Sequence, residues 1–224
     1  MGRDIAIPSV HGSIGAWRAD PPNGEPAHGA VVVVQEIFGV NEHVRSVVER
    51  YAARGLVAIA PALFDPVSPM VELGYDEKAL EKGRGLAAAL GFDRAVALVS
   101  AAATLLSDEG HKVAVVGFCW GGSVAFLANT RLGLPAVSYY GARTVPFLDA
   151  ALRAPMMFHF GGKDPTTPAA DIEAHRRKQP QAELHVYPDA GHAFNRDIDP
   201  AHFHAASASL AQRHTCDFLE RALG

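Results

Sequence analysis

Cys119, one of two cysteines in the chain, sits among glycines in Gly117-Phe118-Cys119-Trp120-Gly121-Gly122, directly after the apolar run Val113–Val116. The helix-friendly segment Ser123–Ala128 follows at once. That succession describes a buried strand, a sharp turn and a helix, with one nucleophilic side chain at the apex. Glycines flank it because so tight a corner leaves no room for Cβ atoms. A thiol at the start of a helix also faces the positive end of the helix dipole, which favours thiolate. Taken alone, a cysteine between glycines also has a less favoured reading, as a small buried side chain without chemistry. The residues downstream weigh against that.

His192 lies in Tyr187-Pro188-Asp189-Ala190-Gly191-His192-Ala193-Phe194, a glycine turn between an expected strand and the final helix. It would take the thiol proton, pass it to a leaving oxygen and then activate water to release an acyl group. Asp164 ends Phe158-His159-Phe160-Gly161-Gly162-Lys163-Asp164 and would hold His192 in one tautomer and stabilise its cation. Each has an ordinary alternative. Asp164, ahead of Pro165, also suits a turn or helix cap, and His192 is one of 11 histidines. Asp189 competes as the acid, although three residues make a short local reach. Glu36 follows the apolar run Ala30–Val34 and Gln35, where a carboxylate is costly unless hydrogen-bonded or sharing a proton. It reads either as a second base beside Cys119 or as a structural link to an arginine or to backbone amides. The backbone N–H groups of Ile37 and Trp120 suit an oxyanion hole, which takes one donor from an early strand-to-helix loop and one from the residue after the nucleophile. His202-Phe203-His204 has no cysteine or carboxylate partners at ligand spacing, so no metal is expected there. Cys216, in an apolar helical pattern, reads as core.

These groups need a frame that brings distant residues to one edge. The apolar runs Ala30–Val34, Leu56–Ala60 and Val113–Val116 predict buried strands, and Ala136–Tyr140, Met156–Phe160 and Glu183–Tyr187 predict three more. Asp4–Pro8 and Ser13–Trp17 predict an antiparallel edge hairpin. Between the strands, Asn41 caps a helix bearing Val44, Val47, Val48 and Tyr51 on one face. Asp76 opens a helix to about Leu90, and Asp93 another to about Leu106. Pro168–Lys178 and Ala201–Leu223 supply two more. Alternating strands and helices call for a mostly parallel sheet with helices on both faces, and such sheets gather reactive groups at the carboxyl ends of their strands. The chain order nucleophile, acid, histidine is that of the α/β-hydrolase fold.

The chain has 224 residues, 49% hydrophobic and 20% charged, with a net charge of −4. That composition suits one soluble globular domain over residues 1–224 and argues against a nucleic-acid partner. Two cysteines far apart do not make a disulfide framework. There is no basic segment followed by an apolar one at the N-terminus and no unbroken apolar stretch of 18 residues. The expectation is a cytoplasmic protein with no membrane partner. No glycine-rich phosphate loop follows the early strands, so nucleotide binding has little support.

Five motifs together resemble the dienelactone hydrolase (carboxymethylenebutenolidase) family: QEIFGVN at Gln35–Asn41, GFCWGG at Gly117–Gly122, YYG at Tyr139–Gly141, FHFGGKD at Phe158–Asp164 and AGHAF at Ala190–Phe194. The resemblance spans nearly the whole chain. It implies an enzyme of aromatic catabolism that opens dienelactone to maleylacetate without a cofactor, as a monomer, with a dimer as the alternative. It implies the triad Cys119, His192 and Asp164, and gives Glu36 the task of restraining the cysteine until substrate arrives and then helping to generate the thiolate. Two arginines bind the substrate carboxylate in the family. Arg196 matches the second. The first should lie in the helix after Asp76, where this chain offers Lys82 and Arg84 out of secure register and lacks a tyrosine expected one turn later. Phe38, within QEIFGVN, joins them as a substrate-binding candidate. The alternatives are an esterase acting on another small ester or lactone, and a catalytically silent α/β-hydrolase used for binding.

Overall fold

The computed structural model describes residues 2–224. The chain divides into two compact units, Met1–Val115 with Leu223–Gly224, and Val116–Ala222.

In the first unit, β1 (Arg3–Ser9) and β2 (Gly12–Ala19) form the expected antiparallel hairpin, with Ser9 opposite Gly12 at the turn. β2 runs antiparallel to β4 (Val57–Pro61), and β3 (Ala30–Val34) runs parallel to β4. Every residue of β3 and β4 is buried, as their unbroken apolar runs require. β1 buries little, as befits an edge. Asn41 caps α1 (Glu42–Ala52) by accepting from the Val44 N–H, and α1 buries Val44, Val47, Val48 and Tyr51, the stripe read from the sequence.

The two helices expected over residues 76–106 are joined as α2 (Glu77–Asp108), broken in its middle by Gly91 at φ 73°. Glycine adopts that left-handed conformation without the Cβ clash that penalises other residues, so the axis bends there. By length and composition α2 would suffice to cross a membrane. The sequence expectation of no such helix looked for an unbroken run, and Asp93 and Arg94 interrupt this one. Its apolar side, including Leu90, Leu98, Val99 and Leu106, is buried and packs on β1, β3 and β4, as a core helix does.

In the second unit, strand order is β5-β6-β7-β8. β5 (Val113–Phe118) begins three residues before the boundary, and β6 (Ala136–Tyr139), β7 (Met156–Gly161) and β8 (Glu183–Tyr187) pair in parallel in that order. α3 (Trp120–Leu132) follows β5, α4 (Ala169–Lys178) follows β7, and α5 (Ala205–Leu223) comes last. α5 starts four residues later than its apolar pattern suggested, because Asp199 folds the preceding chain into a turn that accepts from the His202 and Phe203 amides. Phe126 of α3 packs on Phe158 of β7 with ring centroids 5.9 Å apart, both fully buried. Removing such a ring would cost about 3–5 kcal/mol. Parallel strands between helices, with an antiparallel hairpin at one edge, make this a mostly parallel α/β fold.

Candidate active site

β5 ends in a corner that its glycines make possible. A Cβ on Gly117 would lie 1.9 Å from the Gly121 carbonyl oxygen, and one on Gly122 would lie 2.7 Å from Ser138 Oγ. Cys119 stands between them at φ 54° and ψ −121°, a conformation costing about 1–3 kcal/mol for a residue with a Cβ. Its N–H donates to the Tyr139 carbonyl at 3.0 Å, and its own carbonyl accepts from the Gly122 N–H at 2.9 Å. These bonds hold the strained turn and leave the side chain immediately before the first turn of α3. Trp120, the first residue of that helix, is buried.

The loops after β7 and β8 are laced together. The Gly162 N–H donates to the Tyr187 carbonyl at 2.7 Å, and the Lys163 N–H to the Ala190 carbonyl at 2.9 Å. A Cβ on Gly161 would lie 2.5 Å from the Gly191 oxygen, so the two loops touch at backbone distance. From the first comes Asp164, whose side chain is completely buried, and from the second His192.

His192 spans the other two. Its Nε2 lies 3.2 Å from Cys119 Sγ and its Nδ1 2.8 Å from Asp164 Oδ2. A carboxylate only accepts, so Nδ1 carries a proton and Nε2 faces the sulfur. The edge of the ring meets Tyr140, with centroids 5.1 Å apart, and Tyr140 in turn meets Phe194. Burial works against a charged imidazole here. Electrostatic attraction toward the Cys119 sulfur and the hydrogen bond to Asp164 outweigh it and push His192 up to about 10. Burial likewise opposes charge on Asp164, yet the bonds from His192 and Thr166 hold its carboxyl below the usual range. An imidazole set between a cysteine sulfur and a buried carboxylate is an arrangement that can deliver a nucleophile and return a proton. Asp189, the competing acid, is exposed and pairs instead with Lys163 at 3.1 Å.

The remaining candidates from the early chain lie in the first unit. Glu36, Ile37 and Phe38 follow β3 and are all buried. Their loop is held by the Leu73 N–H donating to the Phe38 carbonyl at 2.8 Å, by the Asn41 amide donating to Tyr75 at 3.0 Å, and by the edge of Tyr75 against Phe38. Gly83 of α2 lies so close to this loop that a Cβ there would sit 2.2 Å from the Ile37 oxygen. Lys82 and Arg84, on either side of Gly83, are exposed.

Arg196, in the second unit, is only 4% exposed and donates to Asp199 at 2.8 Å. Asp199 also bonds His202, while His204 bonds Ser207 at the start of α5. Cys216 is half-buried on α5 rather than in the core where its apolar neighbours suggested. Two neighbours of the triad-like set escaped the sequence reading. Thr166 touches both Asp164 and His192, and Tyr140 adopts φ 41° beneath the imidazole. The Tyr139-Tyr140-Gly141 motif was the available signal for Tyr140, whereas a threonine after Asp-Pro carries none.

The model of the dienelactone hydrolase family matches residues 14–223, almost the whole chain and both units. A provisionally named carboxymethylenebutenolidase of Escherichia coli K12 is 36% identical over 222 residues, covering 91% of this chain and 80% of that protein. The crystal structure of a provisionally named dienelactone hydrolase from Klebsiella pneumoniae is 29% identical, with a TM-score of 0.87 and 97% of each chain covered. A lidless α/β serine hydrolase from Xanthomonas campestris is 14% identical with a TM-score of 0.72, over 99% of this chain and 95% of that one. The last is a likeness of fold alone, and the fold is that of the α/β-hydrolases.

Proposed function

We propose, from the premise that this chain belongs to the dienelactone hydrolase family and hydrolyses a small ester or lactone, that Cys119 is its nucleophile and an anionic lactone of the dienelactone type its substrate. The observation that carries the nucleophile is the continuous path from Asp164 Oδ2 through His192 to Cys119 Sγ, at 2.8 and 3.2 Å. The thiolate attacks the carbonyl carbon, and the electron pair of the C=O moves onto its oxygen. Collapse of that oxyanion expels the ring or ester oxygen, which takes the proton from His192 Nε2. His192, again neutral at Nε2, then removes a proton from water, and the hydroxide attacks the thioester to release the acid and regenerate Cys119. Asp164 keeps the Nδ1 proton throughout and balances the imidazolium charge.

The family resemblance adds Glu36 as the group that restrains Cys119 before substrate arrives, and the amides of Ile37 and Trp120 as oxyanion donors. It also adds Phe38, Arg196 and one of Lys82 or Arg84 as substrate contacts. No cofactor enters this chemistry, and the whole chain is taken to act as one monomeric hydrolase in the cytoplasm.

A second reading has its own observation. Arg196 already meets Asp199 at 2.8 Å with both side chains shielded from solvent, so its charge is largely balanced within the chain. That favours an uncharged ester over a carboxylate-bearing lactone.

Initial rates on cis- and trans-dienelactone beside an uncharged activated ester separate the two readings. Cys119→Ala should remain folded and lose about 10³-fold or more in kcat on every substrate, as triad knockouts do. An alanine variant of undiminished activity refutes the nucleophile.

A further inference from the structure

Asp164 Oδ1, the oxygen that does not face His192, receives two hydrogen bonds from one residue. The Thr166 N–H donates at 2.8 Å and the Thr166 hydroxyl at 2.6 Å. The same hydroxyl oxygen lies 3.1 Å from His192 Nδ1. Its single proton is committed to the carboxylate, so a lone pair faces the imidazole N–H. The Nδ1 proton is therefore shared between Asp164 Oδ2 at 2.8 Å and Thr166 Oγ1 at 3.1 Å. The three side chains close a ring: hydroxyl to Oδ1, Oδ2 to Nδ1, Nδ1 back to the hydroxyl oxygen.

We propose that Thr166 is a positioning residue of this hydrolase, its hydroxyl fixing both the rotation of the Asp164 carboxylate and the aim of the His192 ring at Cys119. The inference rests on the nucleophile reading above. A carboxylate held by the backbone amide alone can pivot about its Cβ–Cγ bond, and the imidazole would pivot with it. With the hydroxyl in place, pivoting breaks a short charge-assisted bond and a contact to Nδ1 together. Threonine suits the task because its branched Cβ restricts χ1 before any hydrogen bond forms.

Pro165 and the Asx-type turn already account for the backbone bond, and that bond survives any side-chain change. The hydroxyl is the part to remove. Thr166→Val keeps shape, branching and the amide while deleting the donor and the acceptor. Three measurements apply: kcat and KM on an uncharged activated ester, the thermal midpoint, and the rate of Cys119 alkylation by iodoacetamide against pH. Alkylation needs no substrate, so it reports on the relay even where the substrate reading fails.

The valine variant should lose about 10–100-fold in kcat at nearly unchanged KM, the size expected for a charge-assisted bond. Its alkylation profile should shift upward by about one pH unit, because the imidazolium loses part of its support. Thr166→Ser, which restores the hydroxyl without the methyl, should recover most of both. Should valine disturb the loop, Thr166→Ala, which also keeps the amide, must give the same kinetic loss and the same shift. A folded valine or alanine variant with the native alkylation profile overturns the proposal, as does a serine variant no better than valine.

Discussion

Acid should weaken this protein through His159, and the effect can be sized from its surroundings. The side chain is fully buried in β7. Its Nε2 lies 2.9 Å from Thr215 Oγ1 and its Nδ1 2.8 Å from the Tyr187 hydroxyl, while Thr215 lies 2.6 Å from the Tyr139 hydroxyl. Burial, reinforced by His185 and His214 nearby, holds its pKa well below the usual histidine value. In the unfolded chain the same ring protonates near pH 6.5. The folded value is the lower of the two, so below about pH 6.5 the unfolded state binds a proton that the folded state refuses. The contribution to stability is therefore complete above that pH and falls as pH falls. The slope for one such group is at most about 1.4 kcal/mol per pH unit, or about 2 kcal/mol between pH 6.5 and 5. For a chain of this length that is a fall in thermal midpoint of about 4–8 °C. Melting curves at several pH values on the native protein and on His159→Gln provide the check. Glutamine can offer a donor and an acceptor to Thr215 and Tyr187 but cannot titrate. The variant should start less stable at pH 7.5 and lose less on acidification, by about the amount above. Equal acid losses in the two proteins would refute the argument and move the effect to His175, whose pKa is also lowered by burial.

Two further outcomes bear on the residues assigned by resemblance. Glu36→Gln should leave the melting temperature within a degree or two while lowering kcat; a loss of stability with full activity per folded molecule would make the buried carboxylate purely structural. Arg196→Ala should cut kcat/KM on the anionic lactone by roughly 10–150-fold, the effect of one lost charge-assisted bond, and spare a neutral ester. Equal losses on both substrates would mean that the Arg196–Asp199 pair shapes the loop after His192.

Most of the strands were legible because burial on both faces leaves an unmistakable record. Ala30–Val34 is apolar throughout for no other reason, and Met156–Phe160 is apolar but for His159. The corner at Cys119 was legible for a steric reason, since Gly117 and Gly122 stand where any side chain would collide with backbone or with Ser138. Asp164 was harder to read. An aspartate before proline has the same appearance whether it caps a turn or orients a histidine, and here it does both. Thr166 was illegible, because a hydroxyl that bridges two residues 28 positions apart leaves no periodic trace. The start of α5 was misread because residues 201–204 continue the helical pattern in sequence, while in the folded chain the Asp199 carbonyl draws the His202 and Phe203 amides into a turn. The kink at Gly91 joined two correctly read helices, since the sequence marks where a helix can bend but not whether the pieces stay in line.

The hydrogen bonds joining Cys119, His192, Asp164 and Thr166 all close within residues 119–192. This has a hereditary consequence. A lineage that alters the loops after β5, β7 and β8 alters this hydrogen-bonded relay directly. Within the relay the tolerance is uneven. A mutation of Gly117, Gly122 or Gly161 meets an atom closer than 3 Å and has little room to be repaired by neighbours. At the apex of the corner the constraint is of another kind, since Cys119 meets His192 through its side chain and not through its backbone. Selection on such a scaffold holds these glycines fixed before any other residue of the corner, so the fold can persist where most of the sequence has changed, as it does at 14% identity.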